Sequence, residues 1–139
     1  MRIRRITRVD LKPLARLNTE TFPGTDERCA LRVFRDCFKN RVPGACLLAE
    51  ENGRVVGGIF VKRKLTFREK GAHVESFFVD KRRRGKGVGR KLLEKAFAAA
   101  KKAGIETLSL TCAKENRAAR RLYEKLGFKP FRMYYLKTF

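Results

Sequence analysis

A chain of 139 residues with 43% apolar content can form one domain, 1–139, that buries roughly 70% of its unfolded surface, which excludes a disordered polymer. The 35 Lys and Arg residues against 14 acidic ones give a net charge of +21. A surface of that kind admits contact with nucleic acid, a ribosome or a phosphorylated ligand, and equally a basic face with no specific partner. No apolar run approaches the ~18 residues of a membrane span, MRIRRITRVD is charged where a signal peptide needs its apolar stretch, no C-x-x-C pair occurs and His73 is the only histidine; a cytoplasmic protein without membrane, disulfide framework or metal site is expected.

Alternation in RIRRIT predicts a first strand. Asp10 then caps an amphipathic helix with Leu11, Leu14, Ala15 and Leu17 on one face, and Phe22 to Gly24 ends it. Thr25 is the expected N-cap of a second helix, in which Ala30, Phe34, Cys37 and Phe38 recur at helical spacing up to Arg41. CLLAEENGRVVGGIFV reads as two strands joined around Asn52-Gly53, because both residues tolerate the positive φ of a tight hairpin turn. After the connecting FREKG, AHVESFFVD predicts a fourth strand, followed by a Gly-rich turn, a helix from Val88 to Ala103 and a fifth strand in IETLSLTC. A strand, helix and strand in that order imply a right-handed crossover between parallel neighbours. A last helix, Asn116 to Leu126, ends at Gly127, and FKPFRMYYLKTF is expected to supply terminal β structure, a sixth strand and part of a seventh.

The turn RRRGKGVGR raises the chemical question. Gly85, Gly87 and Gly89 allow unusual dihedrals and remove Cβ atoms where several N–H groups must face one anion. The same residues open a helix, so free N–H groups and the positive end of its dipole point there, and Arg84, Lys86 and Arg90 add charge. A pyrophosphate suits such a cradle. The pattern is neither G-x-x-x-x-G-K-[ST] nor G-x-G-x-x-G but R-x-x-G-x-G. Thirty residues on, NRAARRLYEKLGF places Asn116, Ala119 and Tyr123 at i, i+3 and i+7, on one helical face spanning about 10 Å. Taken singly, Asn116 reads as a helix cap and Tyr123 as a half-buried aromatic.

With these two motifs in this order, the sequence resembles the GNAT superfamily of acyl-CoA-dependent N-acetyltransferases over nearly its whole length. The resemblance implies an α/β fold with a mixed sheet, ordered as one strand, two helices, three strands, then helix, strand, helix and terminal strands. It implies acetyl-CoA as co-substrate, its pyrophosphate on the backbone of Gly85, Lys86, Gly87, Val88, Gly89 and Arg90, next to Arg84. Phe77, Phe78 and Val79 would pair strand-fashion with pantetheine, Asn116 and Ala119 would flank the cofactor's arm, and Tyr123 would be the acid beside the thioester sulfur. The expected reaction is direct acetyl transfer to a primary amine in a ternary complex; a basic GNAT-fold binding module for RNA or ribosomes is the alternative.

Such a transfer needs a neutral amine, while a lysine-like amine has a pKa near 10.4, so a base is useful. Alternation puts His73, Glu75, Phe77 and Val79 on one side of the strand unless a bulge intervenes. Related enzymes place Glu or His at comparable positions, which makes Glu75 the first candidate and His73 the second. A covalent route through Cys112 is discounted, because no neighbour would lower the thiol's pKa. Some ribosomal-protein N-terminal acetyltransferases of the superfamily carry a catalytic Glu where this chain has Thr111. Twelve residues follow Gly127, so the acceptor-side wall is expected to be short or completed by another subunit, a homodimer.

Overall fold

The computed structural model describes residues 1–65 and 70–139, so most of FREKG lies outside the described residues. Strand β1 (Arg2–Arg5) leads through a short 3-10 turn to helices α1 (Leu11–Thr21) and α2 (Glu27–Lys39). Strands β2 (Leu47–Glu51), β3 (Arg54–Lys64) and β4 (Gly71–Val79) follow, then α3 (Val88–Lys102), β5 (Thr107–Ser109) and α4 (Arg117–Lys125). The strands form one sheet in the order β1-β2-β3-β4-β5, antiparallel except for the parallel pair β4–β5. That parallel pair is the one the crossover rule requires.

Turn chemistry and caps explain most boundaries. Asn52 and Gly53 take φ of 50° and 75°, the left-handed values a two-residue hairpin needs. Asp26, not Thr25, caps α2: its backbone is extended, and its carboxylate accepts from the N–H groups of Arg28 (2.7 Å) and Cys29 (3.4 Å). The helix stops at Lys39, short of Arg41, because Arg41 pairs with Lys62 beside β3. Asp10 does stand at the N-cap position of α1, but its side chain makes no cap hydrogen bond there. It ends the 3-10 turn, where its buried carboxylate accepts from Arg4 at 2.8 and 2.9 Å and from the Thr7 N–H and hydroxyl at 2.7 and 2.9 Å.

Helices cover both faces of the sheet. On one, Phe34 of α2 stacks on Phe60 of β3 (centroids 4.1 Å apart) and on Phe78 of β4 (5.9 Å), among Leu14, Leu17, Cys37 and Leu48. On the other, Leu92, Leu93 and Ala96 of α3 pack against Ala49, Ile59 and Val61. Gly58 lets α1 lie close, since a Cβ there would stand 2.8 Å from Leu14 Cδ2.

The C-terminal third differs from expectation. IETLSLTC yields a strand of three residues only, because β5 parts from β4 after Ser109. No strand forms in 128–139: none of these residues joins the sheet, and Pro130 has no N–H to give to a ladder. Its Phe131, Met133, Tyr134, Tyr135, Leu136 and Phe139 are between 79% and 106% exposed. Among the described residues no helix is long and apolar enough to cross a membrane.

Candidate active site

The Gly-rich turn joins the end of β4 to the start of α3. Asp80 closes the strand, its N–H bonded to Val56 O (2.8 Å) and its carboxylate accepting from Arg82 N–H (3.0 Å). Arg83 pairs with Glu51 at 3.1 Å, fixing the turn to β2. Gly85 and Gly87 then take φ of 76° and 82°, and nothing within 4 Å would meet a Cβ at either, so the space over the turn is open. Gly87 is the N-cap of α3, and no side chain caps it, which leaves the first-turn N–H groups to an outside acceptor. Arg84 and Lys86 are exposed, and among the described residues neither forms a salt bridge; Arg90 lies along the helix against Glu94 at 2.9 Å.

Gly89 differs from its two neighbours. Its φ is not positive, and a Cβ there would stand 3.0 Å from Phe77 Cζ. It permits contact between helix and strand. Val88 turns its side chain into the core, 2% exposed, and offers only its N–H to the turn.

Beyond His73, β4 has no partner on the β5 side among the described residues, because pairing stops at His73↔Ser109. The segment from Val74 to Val79 thus presents unpaired backbone groups on that side, the kind of strand edge to which an extended segment can add. Phe77 and Val79 pack on the α3 side, whereas Phe78 is buried on the α1/α2 side, so only its backbone is offered at the edge. The Tyr123 ring on α4 lies 6.4 Å from Phe77 and 5.9 Å from Phe128. Burial, with a contribution from nearby Cys112, pushes the Tyr123 hydroxyl up to about 12. It stays protonated at neutral pH. Asn116 caps α4, its Oδ1 accepting from the Ala119 N–H at 3.1 Å, which leaves both amide hydrogens for another partner.

The alternation expected for His73 to Val79 is interrupted. Pairing with β3 jumps from Phe60↔Ser76 to Val61↔Val74, and Glu75 is the inserted residue of a bulge. As a result His73 and Glu75 face α2, opposite to Phe77 and Val79. Glu75 Oε2 lies 3.6 Å from Lys62 Nζ, which is 3.5 Å from Asp36 on α2. Burial acts to lower the Lys62 pKa, but the charges of Glu75 and Asp36 outweigh it and raise it. His73 lies opposite Lys62, and its Nδ1 is 2.8 Å from Ser109 Oγ, which also bonds Ala72 O at 3.4 Å. With the hydroxyl proton on Ala72, Nδ1–H donates to Ser109 and the lone pair sits on Nε2. Burial, reinforced by Lys64 and Lys62 and opposed by Glu75, lowers the His73 pKa.

Lys62, Asp36 and Ser109 were not singled out from sequence. The bulge had a signal, however: the core residues Ala72 and Val74, then Phe77 and Val79, slip phase by one at Glu75. Among the described residues no group of three or more His, Cys, Asp or Glu could hold a metal.

Residues 11–128 match the model of the acetyltransferase (GNAT) family. An uncharacterized N-acetyltransferase of Methanocaldococcus jannaschii is 30% identical over 142 aligned positions, 91% of this chain and 60% of its own. The N-alpha-acetyltransferase MAK3 of Arabidopsis thaliana is 34% identical over 62% of this chain, which spans 45% of that protein. The chain therefore spans about half to three fifths of the length of these two relatives. Among solved structures, AAC(6')-Iy in complex with a CoA-containing bisubstrate analogue superimposes with a TM-score of 0.80 at 17% identity, covering 99% of this chain and 97% of that one.

Proposed function

Since the chain belongs to the acetyltransferase (GNAT) family, we propose that it moves the acetyl group of acetyl-CoA to a primary amine, on a small molecule or a peptide, by direct transfer in a ternary complex. The observation that carries this reading is the β4–α3 junction, where an uncapped helix start with open Gly85 and Gly87 adjoins a strand edge left unpaired beyond His73. The geometry fits the co-substrate. The N–H groups from Gly85 to Arg90 receive the pyrophosphate, assisted by Arg84 and Lys86, and the edge from Phe77 to Val79 pairs with the pantetheine arm. The Asn116 amide and the small Ala119 flank that arm.

In the reaction the N–C bond forms as the C–S bond breaks. Tyr123 gives a proton to the departing sulfur, a role suited to a phenol held protonated by burial. Glu75, through water, takes the proton the amine loses, with His73 as the second candidate; both face α2, so the acceptor approaches from that side. The N-alpha-acetyltransferase of Arabidopsis thaliana, 34% identical over 62% of this chain, supports an amine acceptor.

Calorimetric titration with acetyl-CoA should give a dissociation constant at or below about the micromolar range. Labelled acetyl-CoA offered with a panel of amines, peptides and ribosomal fractions should then transfer label. No binding at low salt would overturn the proposal. The +21 charge favours one second reading, a GNAT-fold module that binds RNA or ribosomes with little transfer.

A further inference from the structure

The edge of the sheet at β1 holds a cavity of about 480 Å³ that acetyl transfer leaves unused. It opens where β1 and α2 end and β2 is about to begin, and buried Ile6 and Cys46 supply its inner lining. Arg5, Lys39 and Arg41 stand around it, all exposed. Among the described residues no acidic side chain lines the cavity, and none of the three cations forms a salt bridge.

The fold holds two of these cations in place. Arg41 lays its guanidinium over the Phe38 ring, 4.0 Å from the centroid, and donates from Nη1 to Phe38 O at 2.6 Å, which leaves its other N–H groups free. The Arg5 guanidinium lies against Gly44, where a Cβ would stand 3.6 Å from Nη2 and 3.9 Å from Nε. Gly44 takes φ of 76°, and among the described residues its N–H donates to nothing. The cradle from Gly85 to Arg90 is a separate place, because Gly44 packs on Ala99, about 16 Å along α3 from Val88 at 1.5 Å per residue.

We propose that Arg5, Lys39 and Arg41 form a second phosphate-binding site, which takes the phosphodiester groups of a single-stranded RNA or the phosphates of a free small molecule. Two planar guanidiniums and an ammonium around one opening suit the several oxygens of a phosphate, since each guanidinium can offer two parallel N–H groups. The size agrees. The volume falls within the ~300–1,000 Å³ of small-molecule sites, so it admits a nucleotide unit and not merely one anion. The charge of +21 draws a polyanion in from any direction, and the cavity selects where one of its phosphates is held.

Nuclear magnetic resonance of ¹⁵N-labelled protein reads this site and the Gly-rich turn separately. At about 0.15 M salt, an oligouridylate of about 12 nucleotides and, in a second arm, inorganic tripolyphosphate should each move the Gly44 amide and the Arg5 and Arg41 Nε–H signals to saturation. Tighter binding of the oligonucleotide assigns the site to an RNA backbone, and tighter binding of tripolyphosphate assigns it to a free phosphate compound. Arg5→Gln and, separately, Arg41→Gln should weaken that binding about tenfold or more with unchanged far-UV circular dichroism. Arg32→Gln, exposed two turns earlier on α2, should leave it unchanged. With three phosphates of the oligonucleotide neutralised, log K should fall by roughly 2 per unit of log salt, and by about 0.7 less in each cavity variant. No saturable movement at these residues, equal weakening by Arg32→Gln, or a glutamate peptide of matched charge binding as tightly as both phosphate probes would each overturn the site. Signals from Gly85 to Arg90 are read apart, so the outcome is separate from that of the proposed acetyl-CoA binding.

Discussion

At Tyr123 the hydroxyl and the ring do different things, and one substitution separates them. Tyr123→Phe keeps the contacts with Phe77 and Phe128 and deletes only the proton, so folding and acetyl-CoA affinity should survive while turnover drops by ~100-fold or more. An unchanged rate, in an assay limited by chemistry, would reduce the residue to packing. The base separates by pH. Glu75→Gln should slow the reaction most at low pH, where the amine is protonated, with the defect shrinking toward the amine's own pKa. If His73 serves instead, activity must fall as its imidazole protonates, and because burial lowers that pKa the fall comes below the ordinary 6.5. A rate profile from pH 5 to 9 on Glu75→Gln and on His73→Gln decides between them. The three glycines also divide: Gly87→Ala forces a side chain into left-handed backbone, at roughly 1–2 kcal/mol, while Gly89→Ala pushes against Phe77 and should cost about 1–3 kcal/mol by overpacking. Chemical denaturation of both measures this. From sequence the three glycines look alike, because φ and free space are properties of the folded chain.

Among the elements, the join between β1 and α1 depends on Asp10. Hydrogen bonds from Arg4, then those from Thr7, hold its carboxyl at about 2 against the opposing effect of burial. A lowered folded pKa contributes stability that is present above the unfolded value near 3.8 and is lost as pH falls toward 2. The size is about 2 kcal/mol at neutral pH, and Asp10→Asn should lose that much in urea titrations at pH 7 yet little at pH 2. The N-caps were legible only approximately, since Thr25 and Asp26 are both good caps and the extended backbone of Asp26 decides. The Asn52-Gly53 hairpin was fully legible, because its turn residues have few other uses. Residues 128–139 were read as terminal strands from their composition, which measures willingness to pair and says nothing of where a partner stands.

For the whole molecule, element order and the two separated motifs were enough to read the fold, whereas the joining of Lys62 with Asp36 and Glu75, and of Ser109 with His73, was not readable. These residues come from α2, β3, β4 and β5, and both contacts depend on strand register. The charge of +21 has its own test: if nucleic acid is a true partner, log K should fall by roughly 0.9 per neutralised phosphate as log salt rises, and a flat response in filter binding removes that reading. Finally, the parting of β4 from β5 divides the molecule by cooperativity. Three residue pairs fasten β5 to the sheet, and α4 beyond it has no buried residue, so this flank should open on its own while β2 to β4 stay closed. Amide exchange should report a much smaller opening free energy for Leu108, Ser109 and α4 than for the central strands. A ligand bound where β4 and β5 part would then act as a clasp, raising the flank's opening energy by about 2.7 kcal/mol at a hundredfold excess over its dissociation constant. By the same linkage, a substitution that loosens β5 weakens that ligand without touching it.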